Sequence, residues 1–269
     1  MSLTKEQGQR IEEEAKKILL SRMDSFPDDA SRIRNAPFHE AFLECFKDRL
    51  KPLNLELPYL IAIASWLHGL NTSLGTGFEN IAHILSGGYK RSFTKSFVLK
   101  IKKSQAHSIE EIMRDLKSGR HVPDMSRENT LAFQFSKTDT EIPSLEFTAD
   151  NYIETAVAIE AVELKSVRPN SGEGRGEKQK ILYGKAAIKL ANPKKNVKFF
   201  LGFPFDPTSD HPTQHNKERF FDYLIEFKKF FDPREVLLGS ELWDHLSGSR
   251  NTMEEVLKIV KDTVKKVKT

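Results

Sequence analysis

Apolar residues recur at helical spacing through most of the first half of the chain. Ile11, Ala15, Ile18 and Leu19 fall on one stripe, as in an amphipathic helix. Thr4 supplies an N-cap, and Gln7 three residues on completes a capping box. Pro27 and Asp28-Asp29 end this helix. The pattern predicts a second helix over about Phe38–Leu50, after Pro37, and a third over about Pro58–Leu70, carrying Trp66 and His68. Asn71–Gly77 reads as a loop, a fourth helix continues to Leu85, and Gly87-Gly88 breaks it. Lys90, Arg91, Lys95, Lys100, Lys102 and Lys103 then form a basic run interleaved with Tyr89, Phe93 and Phe97. It reads either as a nucleic-acid contact or as an amphipathic surface element. Ile109–Leu116 is a further helix.

Near residue 125 the texture changes. Leu131–Phe135, Leu145–Phe147 and Ala156–Leu164 read as strands, and Ile181–Leu190 as a crossing helix. Val197, Phe199, Leu201, Phe203 and Phe205 alternate strictly with other residues, which is strand periodicity. Pro204 and Pro207 suggest that this strand runs out at the margin of the sheet. Phe220, Phe221, Leu224, Ile225 and Phe231 give one helix. Met253, Val256, Leu257, Val260, Val264 and Val267 give the last, with lysines on its opposite face. Its apolar stripe packs into the core or, as the lesser reading, forms a subunit interface.

One strand ends in chemistry. In Glu163-Leu164-Lys165, a strand puts the two charged side chains on one face and Leu164 on the other. Acid-x-Lys triplets also occur at Glu14/Lys16, Asp115/Lys117 and Glu226/Lys228. Those lie in helical stretches, where residues two apart do not share a face. A carboxylate beside an ammonium at a strand end suits metal-assisted phosphodiester hydrolysis, or is a solvated ion pair. Asp150 lies upstream, before another short β-prone run, where a hairpin brings it near Glu163; Asp150-Asn151 is also ordinary turn chemistry. Asp139 is the reserve acid, and Pro123-Asp124 reads as a loop. Downstream, Arg168, Arg175, Lys178 and Lys180 are interleaved with Gly172, Gly174 and Gly176. Such a segment is either a phosphate-binding loop or a surface loop. Its spacing excludes a P-loop, since Glu177 precedes Lys178 and Gln179 follows it.

Glu163-Leu-Lys165, an acid a short hairpin upstream and Ser166-Val-Arg-Pro-Asn170 together resemble the PD-(D/E)XK nucleases, type II restriction endonucleases in particular. The likeness is strongest over about residues 130–205. At position 149, Ala stands where the family has Pro. The resemblance implies a Mg²⁺-dependent endonuclease on double-stranded DNA, with Asp150 and Glu163 as metal ligands and Lys165 steadying the water. Glu79, in Leu74–Leu85, resembles the acid that many such enzymes add from an N-terminal helix; as a first-turn glutamate it also reads as a solvated residue. The expected DNA contacts are Arg168, Asn170, Arg175, Lys178 and Lys180. A homodimer reading a short site is implied, GGNCC-like by the same resemblance.

The implied fold is α/β: a restriction-endonuclease-like mixed sheet flanked by helices, with a largely helical N-terminal half. We expect a single nuclease domain over 1–269, with 1–125 mainly helical, 126–238 the catalytic core and 239–269 the C-terminal helix. Bulk properties change this picture little. The net charge is only +4, so cations must be concentrated where DNA lies. The single cysteine excludes a disulfide framework and a thiolate zinc cluster. The longest apolar run is too short for a membrane span, and a cytoplasmic protein is expected. Asp210, His211 and His215 read as a polar surface loop, one able to enter a DNA groove. Two other functions fit the same residues: a structure-specific repair or recombination nuclease of this fold, and a non-catalytic nucleic-acid-binding protein.

Overall fold

Local chemistry sets many of the element ends in this computed structural model, which describes residues 3–27, 36–136, 138–165 and 171–268. The Gln7 amide donates to Thr4 Oγ1 at 3.1 Å and the Thr4 amide to Gln7 Oε1 at 3.0 Å. Helix α1 (Lys5–Met23) therefore starts on the expected capping box. Thr4→Ala removes one of these bonds and should cost about 1 kcal/mol, read as a lower urea midpoint. An unchanged midpoint would mean that packing alone fixes this helix start.

Helices α2 (Pro37–Glu44) and α3 (Lys47–Leu50) replace the single helix expected over Phe38–Leu50. The break falls at Phe46, whose φ of −108° and ψ of 5° leave the helical region. The next difference is larger. Helix α4 (Leu57–Ser86) runs unbroken through the loop expected at Asn71–Gly77. A glycine inside a helix costs only about 1 kcal/mol, and Gly77 has a packing use. A Cβ there would stand 2.4 Å from Ile18 Cδ1, so the glycine lets α4 approach α1 closely. The helix ends at Gly87, in the left-handed region with φ +68°.

The basic run becomes two strands, β1 (Tyr89–Phe93) and β2 (Lys100–Lys102), followed by α5 (Lys103–Ser118). Leu131–Phe135 is not a strand. Most of it belongs to α6 (Met125–Phe133), nucleated by Asp124, which accepts from the Ser126 and Arg127 amides. Strands β3 (Glu141–Pro143), β4 (Phe147–Glu154) and β5 (Ala158–Leu164) follow, then α7 (Ser171–Ala191) and β6 (Asn196–Phe203). Helices α8 (Lys217–Tyr223) and α9 (Ile225–Lys228) split the helix expected over Phe220–Phe231 at Leu224, whose ψ of 64° is not helical. Strand β7 (Val236–Leu238), α10 (Ser240–Ser247) and α11 (Thr252–Lys268) complete the chain.

The main sheet has the order β1-β4-β5-β6-β7, while β2 and β3 form a separate ribbon. Strands β1, β4 and β5 pair antiparallel, and β5, β6 and β7 pair parallel. This is the mixed α/β architecture expected. Strand β6 is interior, flanked by β5 and β7; Pro204 and Pro207 lie beyond its last paired residue and leave the ladder intact.

Alternation along β5 and β6 divides the apolar residues between two cores. Ile159, Ala161, Phe199, Leu201 and Phe203 join Ile109, Leu116, Ile181 and Ile188 on one face. Val162 and Phe200 join Ile11, Ile81, Leu85 and Trp243 on the other. Helices α5 and α7 thus cover one face, and α1, α4 and α10 the other. The last helix packs on α1 and α10, as its apolar stripe requires. Glu163 shares its face with Ile159 and Ala161, so it points towards α7.

Candidate active site

Asp150 lies within β4, not in a turn. The register of β4 with β5 pairs Asn151 with Val162 and Tyr152 with Ala161. One further step places Asp150 opposite Glu163, and opposed residues of an antiparallel pair share a face. The Leu164 amide donates to Asp150 Oδ2 at 3.0 Å, locking the carboxylate across the strand gap.

A β-bulge lies beside Asp150 on the β1 side. Two steps along β1, from Tyr89 to Arg91, span three along β4, from Ala149 to Tyr152. The extra residue falls at Asp150-Asn151, opposite Lys90. Asp150 and Asn151 still alternate between the two faces, as their continuous register with β5 requires. Here Asn151 goes to the α4 side, where Ser86 Oγ donates to its Oδ1 at 2.9 Å, while Asp150 keeps the Glu163 side. The Asp150 carbonyl accepts from His83 Nε2 at 2.6 Å. His83 lies one turn after Glu79, on the same face of α4. Glu79 therefore stands beside the site: Lys90 Nζ is 2.8 Å from Glu79 Oε2 and 3.1 Å from Asp150 Oδ1. The hydrogen bond from Lys90 to Glu79, reinforced by Asp150, raises the lysine pKa against burial.

On the other side of Asp150, four charged groups close a ring. Lys165 Nζ lies 3.0 Å from Glu163 Oε1 and 2.9 Å from Glu177 Oε1. Lys180 Nζ lies 2.6 Å from Glu163 Oε1 and 3.6 Å from Glu177 Oε2. Glu177 and Lys180 are one turn apart on α7. Burial pushes the Glu163 pKa up, Asp150 pushes it further, and the two lysines only partly oppose this. Burial works against the charged form of Lys165, but Glu163 and Glu177 outweigh it and its pKa rises.

Glu163 Oε1 takes both lysines, while its Oε2 is buried with no hydrogen-bond partner. An orphaned carboxylate oxygen is costly, and Asp150 stands opposite this residue on the neighbouring strand. Hard divalent cations bind through such oxygens, and Mg²⁺ uses one or two carboxylates with waters and substrate phosphate completing its shell. The donor set fits that ion. Among the described residues no three acidic, histidine or cysteine side chains surround one point. Lysines bridge the acids instead.

The chain's relatives are nuclease sequences. A family model described as type II restriction endonuclease, HinfI, matches residues 3–264. The chain belongs to the HinfI family of type II restriction endonucleases. The type II restriction enzyme MjaII of Methanocaldococcus jannaschii is 47% identical over 271 aligned positions, which cover 98% of this chain and 72% of that protein. Within this restriction endonuclease Asp150 stands opposite Glu163, Lys165 pairs with Glu163, and Lys90 links Glu79 to Asp150.

The expected DNA contacts fare differently. Arg175 is exposed near the start of α7, whereas Arg168 and Asn170 lie outside the described residues. Lys180 belongs to the acid–lysine ring. Lys178 is corrected outright: its side chain is 0% exposed, 2.5 Å from Glu128 Oε2 and paired with Glu235. Lys185 Nζ lies 2.9 Å from Glu235 Oε1. The mistake came from reading residues 168–180 as a glycine-rich loop. The helix already begins at Ser171, so Lys178 shares the inward face of Ile181, Leu182 and Lys185. Extending the Ile181–Leu190 periodicity backwards by one turn would have shown this, and would have placed Glu177 and Lys180 together. His83 carried no signal, and Lys90 stood out only as part of the basic run, because the pairing of β1 with β4 and the packing of α4 define their places.

The other acids are elsewhere. Asp139 accepts from the Ser104 amide at 2.7 Å, at the start of α5. Asp210 pairs with Arg219, and His215 bonds Ser240, in keeping with a polar loop. A groove of about 990 Å³ opens among α1, α4 and α11, but its lining is largely apolar, including Trp66, Phe78, Trp243 and Val260. Its two lining acids are engaged elsewhere, Asp206 by the Thr208 and Asn216 amides and Asp210 by Arg219.

Proposed function

We propose that this restriction endonuclease hydrolyses phosphodiester bonds of double-stranded DNA at a short specific site with Mg²⁺, as a homodimer in the cytoplasm. The supporting observation is the convergence of Asp150 and Glu163 across β4 and β5, with Lys165 beside Glu163 and one Glu163 oxygen buried without a partner. Asp150 and Glu163 would hold the metal, and Glu79 stands next to them. When bound, the ion supplies Lewis acidity and lowers the pKa of water. Lys165 donates hydrogen bonds towards the attacking water and the scissile phosphate, and offsets negative charge growing on the phosphate oxygens. Arg175, with Arg168 and Asn170, would hold the DNA backbone or bases. No helix among the described residues is long and apolar enough to cross a membrane.

Plasmid digestion with and without Mg²⁺, followed by end mapping, tests this reading. Discrete bands with common ends, starting with GGNCC as the first sequence to examine, support it. A smear, or cutting confined to DNA junctions, would overturn site-specific cleavage.

The raised pKa of Glu163 has a measurable consequence. Metal binding needs the ionised carboxylate, and burial favours the protonated one. Cleavage at limiting Mg²⁺ should therefore fall as pH is lowered, beginning above the ordinary glutamate range. Saturating Mg²⁺ should move that acid limb to lower pH. Identical limbs at both concentrations would remove Glu163 from the metal site.

A further inference from the structure

We propose that Glu177, on α7, is a positioning residue that holds Lys165 in working orientation. The inference rests on the nuclease reading above. Lys165 has a flexible four-carbon stem, and its ammonium can rotate among many partners. In this structure it has two anchors, Glu163 Oε1 at 3.0 Å and Glu177 Oε1 at 2.9 Å. Glu163 is also the residue that a divalent cation would claim. A carboxylate engaged by such a cation has less negative charge to offer the lysine. Glu177 is the anchor that stays.

Its own placement is rigid. The next residue, Lys178, is sunk between Glu128 and Glu235. Three residues before Glu177, a Cβ on Gly174 would lie 3.3 Å from Phe227, so α7 sits close against α9. The helix is therefore fixed on one side by the interior and presents Glu177 to the strand-end lysine on the other. Glu177 touches Lys165 and Lys180. It reaches the reaction through Lys165.

Single-turnover cleavage in Mg²⁺, DNA affinity in Ca²⁺ and thermal midpoint should be measured together for Glu177→Ala, Glu177→Gln, Lys165→Ala, Glu163→Gln and the Lys165→Ala/Glu177→Ala double variant. Glu177→Ala should lower the cleavage rate by roughly 10–100-fold, the scale of a small misplacement of a reacting group. DNA affinity and thermal midpoint should stay near those of the parent protein. Glu177→Gln, which still accepts a hydrogen bond from Lys165, should recover part of the rate. Adding Glu177→Ala to Lys165→Ala should cost nothing more, because the two changes remove one shared interaction. A parental rate in Glu177→Ala, a further full loss in the Lys165→Ala background, or a rate loss that tracks the thermal midpoint would each overturn the positioning role. If Glu163→Gln and Lys165→Ala cleave normally, the nuclease site itself is wrongly placed. If those two fail while Glu177→Ala does not, only the role of Glu177 falls.

Discussion

Glu163→Gln should abolish cleavage while DNA remains bound. The amide keeps the size of the side chain and one acceptor oxygen, but it removes the negative charge that two neighbouring lysines use and that the proposed divalent cation would need. Metal assistance is worth several kcal/mol of transition-state stabilisation. At about 1.4 kcal/mol per tenfold in rate, losing about 4 kcal/mol lowers cleavage by roughly 10³-fold. Removing a buried carboxylate charge leaves Lys165 and Lys180 with Glu177 as their remaining partner in the ring. Phosphate is thus met by more positive charge, and DNA affinity in Ca²⁺ should hold or rise. The measurement is single-turnover cleavage beside a binding titration on the same duplex. Cleavage within tenfold of the parent protein would show that the metal and the attacking water are held elsewhere.

Lys178→Ala should be the most destabilising of these substitutions, through a mechanism unrelated to DNA. Lys178 and Glu235 are 0% exposed and Glu128 is 1% exposed. Burial lifts the Glu128 pKa in spite of Lys178, while Lys185 and Lys178 hold Glu235 low against its own burial. Taking away the ammonium leaves Glu235 with Lys185 and takes from buried Glu128 the cation it pairs with. Breaking a buried ion pair from one side costs about 3–5 kcal/mol, and for a chain of this size each kcal/mol moves the thermal midpoint by roughly 2–4 °C. Adding Glu128→Gln to Lys178→Ala should recover part of the loss, since one uncompensated charge disappears. A midpoint within about 2 °C of the parent protein would mean that water reaches this cluster. The linkage has a definite sign: Glu235 is held low in the folded state, so its contribution is present above the ordinary glutamate pKa. It is lost as pH falls through the depressed value.

Several features were legible in the residues alone because they depend on near neighbours. The capping box at Thr4 and Gln7, the strand ending in Glu163-Leu-Lys165, the alternation along Val197–Phe203 and the closing helix from Met253 all reappear in the structure. The boundaries that failed did so where packing overrode local preference. Gly75 and Gly77 look like breakers, yet α4 passes through them because Ile18 fills the space beside Gly77. Gly172, Gly174 and Gly176 look like a loop, yet α7 contains all three, held by Lys178 and Phe227 on its inner side.

By itself the sequence determined which residue types stand two apart at a strand end, and so which face carries Glu163 and Lys165. That follows from the two-residue repeat of a pleated strand, which needs no distant partner. It also determined the family to which such a strand end points. Only the tertiary structure decided that Asp150 faces Glu163, because the antiparallel register of β4 with β5 sets the two residues opposite one another. Only the structure brought Lys90, Glu177 and Lys180 beside these acids and sent Lys178 inside. Those positions depend on how α4 and α7 lie against the sheet, and that is fixed by apolar contacts between residues far apart in the chain, which no local pattern records.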